Sequence, residues 1–217
     1  IFEANDKWNN LRADRIGDEF GVQYIIKAGQ NEYQRIKEMK ATNATFILPL
    51  NYPQAQDVED PNYARFVSLN DMKHWEMAPA NAAAFEKAGI PFCLTTADLR
   101  NVNQFWSSLR KAMEYGLSES KVMEALTKTP ATTLGVYDKV GSLDAGKLAN
   151  FLITNGPVFN EKTLILHNYV QGIKYNIKEE NNNIAGTYSL TIKTPAGDEN
   201  YTLDVKSSSS LSMYAKD

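Results

Sequence analysis

The sequence predicts an α/β unit built on parallel strands, followed by a small all-β unit. Two observations carry this. Between Ile1 and Leu48 short apolar runs alternate with helix-spaced segments at roughly 20 to 25 residues per unit, the rhythm that parallel strands with crossover helices demand. After Gly135 the texture changes to short strands separated by turns. At 217 residues, with 43% apolar and 23% charged residues, the chain has enough material for one large core or two small ones.

In chain order, Ile1 to Ala4 reads as the end of a strand. From Lys7 to Phe20 the apolar residues Trp8, Leu11, Ile16 and Phe20 recur near helical spacing, and Gly21 supplies a C-terminal stop. Val22 to Ile26 is a short buried strand, and Asn31 to Met39 a second helix with Tyr33, Ile36 and Met39 as its inner face. Ala44 to Leu48 makes the next strand, stopped by Pro49. Leu50 to Ala78, with Pro53, Pro61 and the carboxylates Asp57, Glu59 and Asp60, breaks the rhythm as a long loop, a length that compact domains usually reserve for function. Those carboxylates lack the regular spacing of a calcium loop and read as a solvated stretch.

Pro79 opens a helix through Asn81, Phe85 and Lys87 that Gly89 ends, and Ile90 to Thr95 is a fourth strand. Helices follow at Asn103 to Tyr115, at Ser118 to Thr127 with Ser118 as cap, and at Pro130 to Gly135. Strands are expected at Phe151 to Thr154, Leu164 to Val170, Ile173 to Ile177, Tyr188 to Ile192 and Tyr201 to Val205. The last two form a hairpin around Thr194 to Asn200, and Asn181 to Asn183 reads as a solvated loop or a linker. Leu211 to Tyr214 looks like more strand, and with Ile1 at the front both ends read as cut from a longer protein.

A net charge of −3 provides no basic field for phosphates, so nucleic acid is not an expected partner. No apolar run approaches the ~18 to 20 residues of a membrane span. Cys93, the single cysteine, cannot form an internal disulfide and is expected to pack as a small hydrophobe. With only His74 and His167, any mechanism needing three or more histidine ligands on this chain is excluded by counting.

The run Ala125-Leu126-Thr127-Lys128-Thr129-Pro130-Ala131, then Leu134-Gly135, then Val140-Gly141-Ser142-Leu143-Asp144-Ala145-Gly146-Lys147-Leu148-Ala149-Asn150-Phe151-Leu152-Ile153, resembles the C-terminal signature of the metal-dependent amidohydrolase superfamily. Ala88-Gly89-Ile90-Pro91-Phe92 resembles the segment by which that family enters its last barrel strand, and the whole is most similar to the imidazolonepropionase-like branch. The resemblance covers about residues 1 to 177. It implies the C-terminal half of a TIM-type (β/α)8 barrel over residues 1–135, holding strands five to eight. A β-sandwich composite segment is implied at 136–180, with 181–217 as a hairpin extension or the start of a further domain.

The family's activity would be metal-dependent hydrolysis of C–N bonds such as those of cyclic amides, with zinc or iron held by histidines at the strand ends. The resemblance places Glu3 and Lys27 where the fifth and sixth strands should end in histidine. Lysine is a poor ligand while protonated, and its charge repels a divalent cation, so no metal is expected on this chain alone. The last-strand aspartate falls on Ala97 in gapless alignment and on Asp98 with a one-residue slip; Asp98 is the candidate base, with capping of the following helix as its other reading. His74 and Glu76, in the long loop, are cleft candidates, His74 otherwise stacking beside Trp75. His167 is expected on the exposed face of a sandwich strand.

Half a barrel leaves an open surface. The expected partner is therefore the N-terminal half-barrel of a parent protein or a second copy of this chain, with a small-molecule substrate if the whole is active. The alternative function is a degenerate, non-catalytic module that binds or scaffolds within a longer protein.

Overall fold

A computed structural model describes residues 1–178, 185–195, 197–207 and 210–215. Its first part alternates strands and helices: β1 (Phe2–Glu3), α1 (Lys7–Phe20), β2 (Ile25–Lys27), α2 (Ile36–Ala41), β3 (Thr45–Pro49), α3 (Pro61–Ala64), α4 (Leu69–Met77), α5 (Asn81–Ala88) and β4 (Phe92–Thr95). The helices α6 (Phe105–Glu114), α7 (Glu119–Leu126) and α8 (Lys128–Thr133) follow. The four strands form one parallel sheet in the order β1-β2-β3-β4, which is sequential, as in a barrel wall.

Register explains which face is core. Ile26, Phe46 and Phe92 stand abreast in β2, β3 and β4 and are fully buried under the helices, where Phe85 meets both phenylalanines edge to face. Met39, Leu109 and Val122 close this layer. The next row along the same strands, Glu3, Lys27, Ile47 and Cys93, points to the opposite face. There Lys27 and Ile47 are half-buried, Glu3 is exposed, and only Cys93 is buried. One face is therefore packed like a protein interior and the other is partly open.

Helix α1 has the expected bounds and its Gly21 stop (φ 66°), but a different inner face. Its buried residues are Asn10, Ala13 and Gly17, while Trp8, Ile16 and Phe20 are exposed. The reason is close approach: a Cβ on Gly17 would lie 2.3 Å from the Val22 carbonyl oxygen, so only small residues fit where the helix meets the chain entering β2. The expected second helix begins as a 3-10 turn over Glu32–Arg35, and its buried residues are Glu32 and Met39 rather than Tyr33. The long loop after β3 contains α3 and α4, the latter opened by Ser68, whose hydroxyl accepts from the Asp71 amide.

Beyond α8, β5 (Phe151–Thr154), β6 (Ile165–Val170) and β7 (Ile173–Asn176) form an antiparallel sheet, with Phe151 stacked on Tyr169 at 4.5 Å. A second antiparallel sheet joins β8 (Gly186–Thr194), β9 (Gly197–Ser207) and β10 (Ser210–Ala215). The expected hairpin and the extra strand near Leu211 are both present in it. His167 differs from expectation: it is half-buried in the central strand β6, and its Nδ1 is covered without a hydrogen-bond partner. The expected linker at Asn181 to Asn183 lies outside the described residues.

Candidate functional site

The C-terminal ends of the parallel strands carry the candidate residues. Lys27 ends β2, and its ammonium donates to Glu3 Oε1 at 2.7 Å and lies 2.8 Å from Asp98 Oδ2. Glu3 is its neighbour in register on β1. Asp98 comes from the loop after β4, two strands away. Its backbone is left-handed (φ 66°), a conformation aspartate tolerates better than most residues, and the Thr95 hydroxyl helps shape this turn by accepting from the Ala97 amide. The carboxylate that lines the cleft from the loop after β4 is Asp98, next to Ala97. The helical turn beyond it is capped instead by Asn101, whose side chain accepts from the Asn103 amide.

The Lys27 side chain is 16% exposed, against 72% for Glu3 and 48% for Asp98. Hydrogen bonding to Asp98, then to Glu3, raises its pKa above the ordinary lysine value, so the group is an ammonium at any physiological pH. Two carboxylates and one ammonium leave a net charge of −1.

His74 lines the same cleft, a cavity of about 660 Å³, together with Glu3, Lys27 and Asp98. It sits on α4 and stacks on Tyr33 (6.2 Å between ring centres, 9° between planes) rather than on its neighbour Trp75; its Nδ1 is 3.4 Å from the Tyr33 hydroxyl. Burial, reinforced by the Lys7 charge, lowers its pKa, so the imidazole is neutral near pH 7. Glu76, two residues on, is exposed and is not among the residues lining the cleft. Asp57, Glu59 and Asp60 are exposed; Asp57 accepts from the Glu59 amide and Asp60 caps α3. Cys93 is buried, its thiol pKa is raised by burial, and its Sγ is 3.9 Å from the Thr133 hydroxyl.

One group behind the cleft gave no signal in the sequence. Glu32 is fully buried and accepts from Asn10 Nδ2, the Gly29 amide and Asn81 Nδ2, each at 2.8 Å. It ties α1, the loop leaving β2 and α5 together. Burial pushes its carboxyl above the usual glutamate range, against these donors, which favour the carboxylate.

The donor set does not suit a divalent metal. Among the described residues no three or more of His, Cys, Asp and Glu gather closely enough to hold one. Glu3 and Asp98 already share an ammonium, and a metal between them would have to displace it or strip its proton.

The model of the amidohydrolase family matches residues 36–189, and the chain belongs to that family. Among solved structures, an amidohydrolase from Thermotoga maritima MSB8 is 22% identical with a TM-score of 0.63, over 82% of this chain and 43% of the other. A prolidase complexed with N-methylphosphonate-L-proline is 16% identical with a TM-score of 0.58, over 80% and 44%. Molinate hydrolase, also 16% identical, has a TM-score of 0.54 over 80% and 41%. These likenesses are of fold: the parallel sheet is the C-terminal half of a (β/α)8 barrel, followed by antiparallel sheets. The chain spans less than half the length of each of these structures. A search of curated proteins finds no match.

Proposed function

We propose that residues 1–135 form the C-terminal half-barrel and residues 136–180 the composite sheet segment of an amidohydrolase-family protein whose barrel centre is a binding cleft without a hydrolytic metal. One observation carries the reading: the Lys27 ammonium lies between Glu3 and Asp98, supplying from within the chain the positive charge that a metal would otherwise bring to those carboxylates. The His74 imidazole, neutral and half-buried on the same cleft, adds a polar group suited to hydrogen bonding a ligand.

Family membership supports a second reading, in which the whole protein hydrolyses C–N bonds such as those of cyclic amides and zinc or iron is held by residues outside this chain. Metal analysis of the purified full-length protein separates the two. Substoichiometric zinc and iron is the result expected of a binding cleft; stoichiometric metal overturns that reading in favour of the enzyme.

A further inference from the structure

Beside the Lys27 cleft lies a second cavity of about 550 Å³, and the two meet at Asn51 and Asp98. It is walled by the chain leaving β3 at residues 50–55, by the chain running from Asp98 into α6, and by Trp75 of α4. Its size suits a small organic molecule.

The charges in its lining are unequal. Asp98 is the one carboxylate there, and Lys27 already neutralises it at 2.8 Å. Arg100 and Lys111 also line the cavity, and neither is in an ion pair among the described residues. The lining therefore presents two cations without counter-ions. A polar wall comes from the helix that carries Lys111, through Ser107 and Ser108, and an apolar wall from the rings of Tyr52 and Trp75. Lys111 Nζ lies 5.8 Å from the centre of the Tyr52 ring, so charge and flat surface adjoin. Burial keeps the Tyr52 phenol protonated well above the physiological range, which prevents that ring from contributing a negative charge.

We propose that this cavity binds a small organic carboxylate bearing an aromatic group, its carboxylate held by Arg100 and Lys111 and its ring against Tyr52 and Trp75. The assignment rests on reading the adjoining cleft as a binding site, and it names the chemical class of the ligand. Guanidinium and ammonium groups without partners favour an anion by charge-assisted hydrogen bonds, and the adjacent rings favour an organic acid over an inorganic one.

Calorimetric titration of the EDTA-treated chain with phenylacetate, its neutral isostere 2-phenylacetamide and inorganic phosphate tests this. Phenylacetate should bind with a Kd of about 1 mM or tighter, at least about tenfold tighter than either of the others. Arg100→Gln and Lys111→Gln should each weaken phenylacetate by about five- to tenfold while leaving the unfolding temperature unchanged, and raising the salt from about 0.05 to 0.5 M should weaken phenylacetate but not the amide. Equal binding of acid and amide, equal binding of phosphate, unaltered affinity in both variants, or no heat at about 10 mM phenylacetate would each overturn the assignment. Zinc found in the untreated chain would contradict the metal-free cleft and leave these titrations standing, so the two failures are distinguishable.

Discussion

The Lys27 ammonium reaches from the end of β2, past β3, to within 2.8 Å of Asp98 Oδ2 in the loop that follows β4. Its second partner, Glu3 on β1, completes a charged link across the mouth of the whole parallel sheet. Both carboxylates are substantially exposed, so water screens the link. Lys27→Met should therefore cost only about 1 kcal/mol, and the loss should shrink in about 1 M NaCl. Urea denaturation at low and high salt measures both effects; a loss that salt does not alter would contradict a screened ion pair.

Glu32 is a larger liability. Glu32→Ala strands three N–H donors, two of them buried and the Gly29 amide half-buried, and should destabilise by roughly 3 kcal/mol or more. Its carboxyl titrates higher folded than unfolded, so its stabilising contribution is complete below the ordinary glutamate value of ~4.3 and is lost as pH rises through the folded value. Urea midpoints measured from about pH 4 to 8 should accordingly fall more with pH in the wild type than in Glu32→Gln. Parallel profiles for the two proteins would contradict the raised pKa.

Gly146 turns the chain from the barrel helices toward the first antiparallel sheet with φ 89°, and a Cβ there would touch nothing within 4 Å. Any penalty for substitution is therefore one of backbone conformation alone. Gly146→Val should destabilise by roughly 1 to 3 kcal/mol, read as a lower unfolding temperature. An unchanged temperature would show that this turn relaxes freely.

Parallel sheets are ordinarily covered on both faces. Here Ile47 on the inner face is half-buried, β1 and β4 are edges, and Ile1 is 79% exposed. We expect the chain to associate at micromolar concentration, with a second copy or with the N-terminal half of its barrel. Sedimentation equilibrium would show species heavier than 24.3 kDa. A clean monomer with protected amides on both edge strands would contradict this.

Local signals made much of the fold legible. Gly21 and Gly89 end their helices in left-handed conformations, and Ser118 caps α7 by accepting from the Lys121 amide, all as residue type dictates. Helix α4 was hidden among the prolines and acidic residues before it, although Ser68 with Asp71 three positions on was a readable start. Glu3 and Lys27 were found because they stand where a family pattern expects histidine. Asp98 needed a positive φ to aim it, which no residue-by-residue alignment encodes. Glu32 was invisible because its burial depends on Asn10 and Asn81, 22 and 49 residues away, and helical spacing alone favours Tyr33 for the inside. Long-range polar partners leave no periodicity in a sequence.

We propose that the Lys27 ammonium takes the place of a metal between Glu3 and Asp98. Zinc content after growth in zinc-supplemented medium, compared between the wild type and Lys27→His, tests it most directly. The wild type should carry less than about 0.1 equivalent, and the variant, with a neutral imidazole between two carboxylates, should take up close to one. About one equivalent of zinc in the wild type, lost on Asp98→Ala, would contradict the claim.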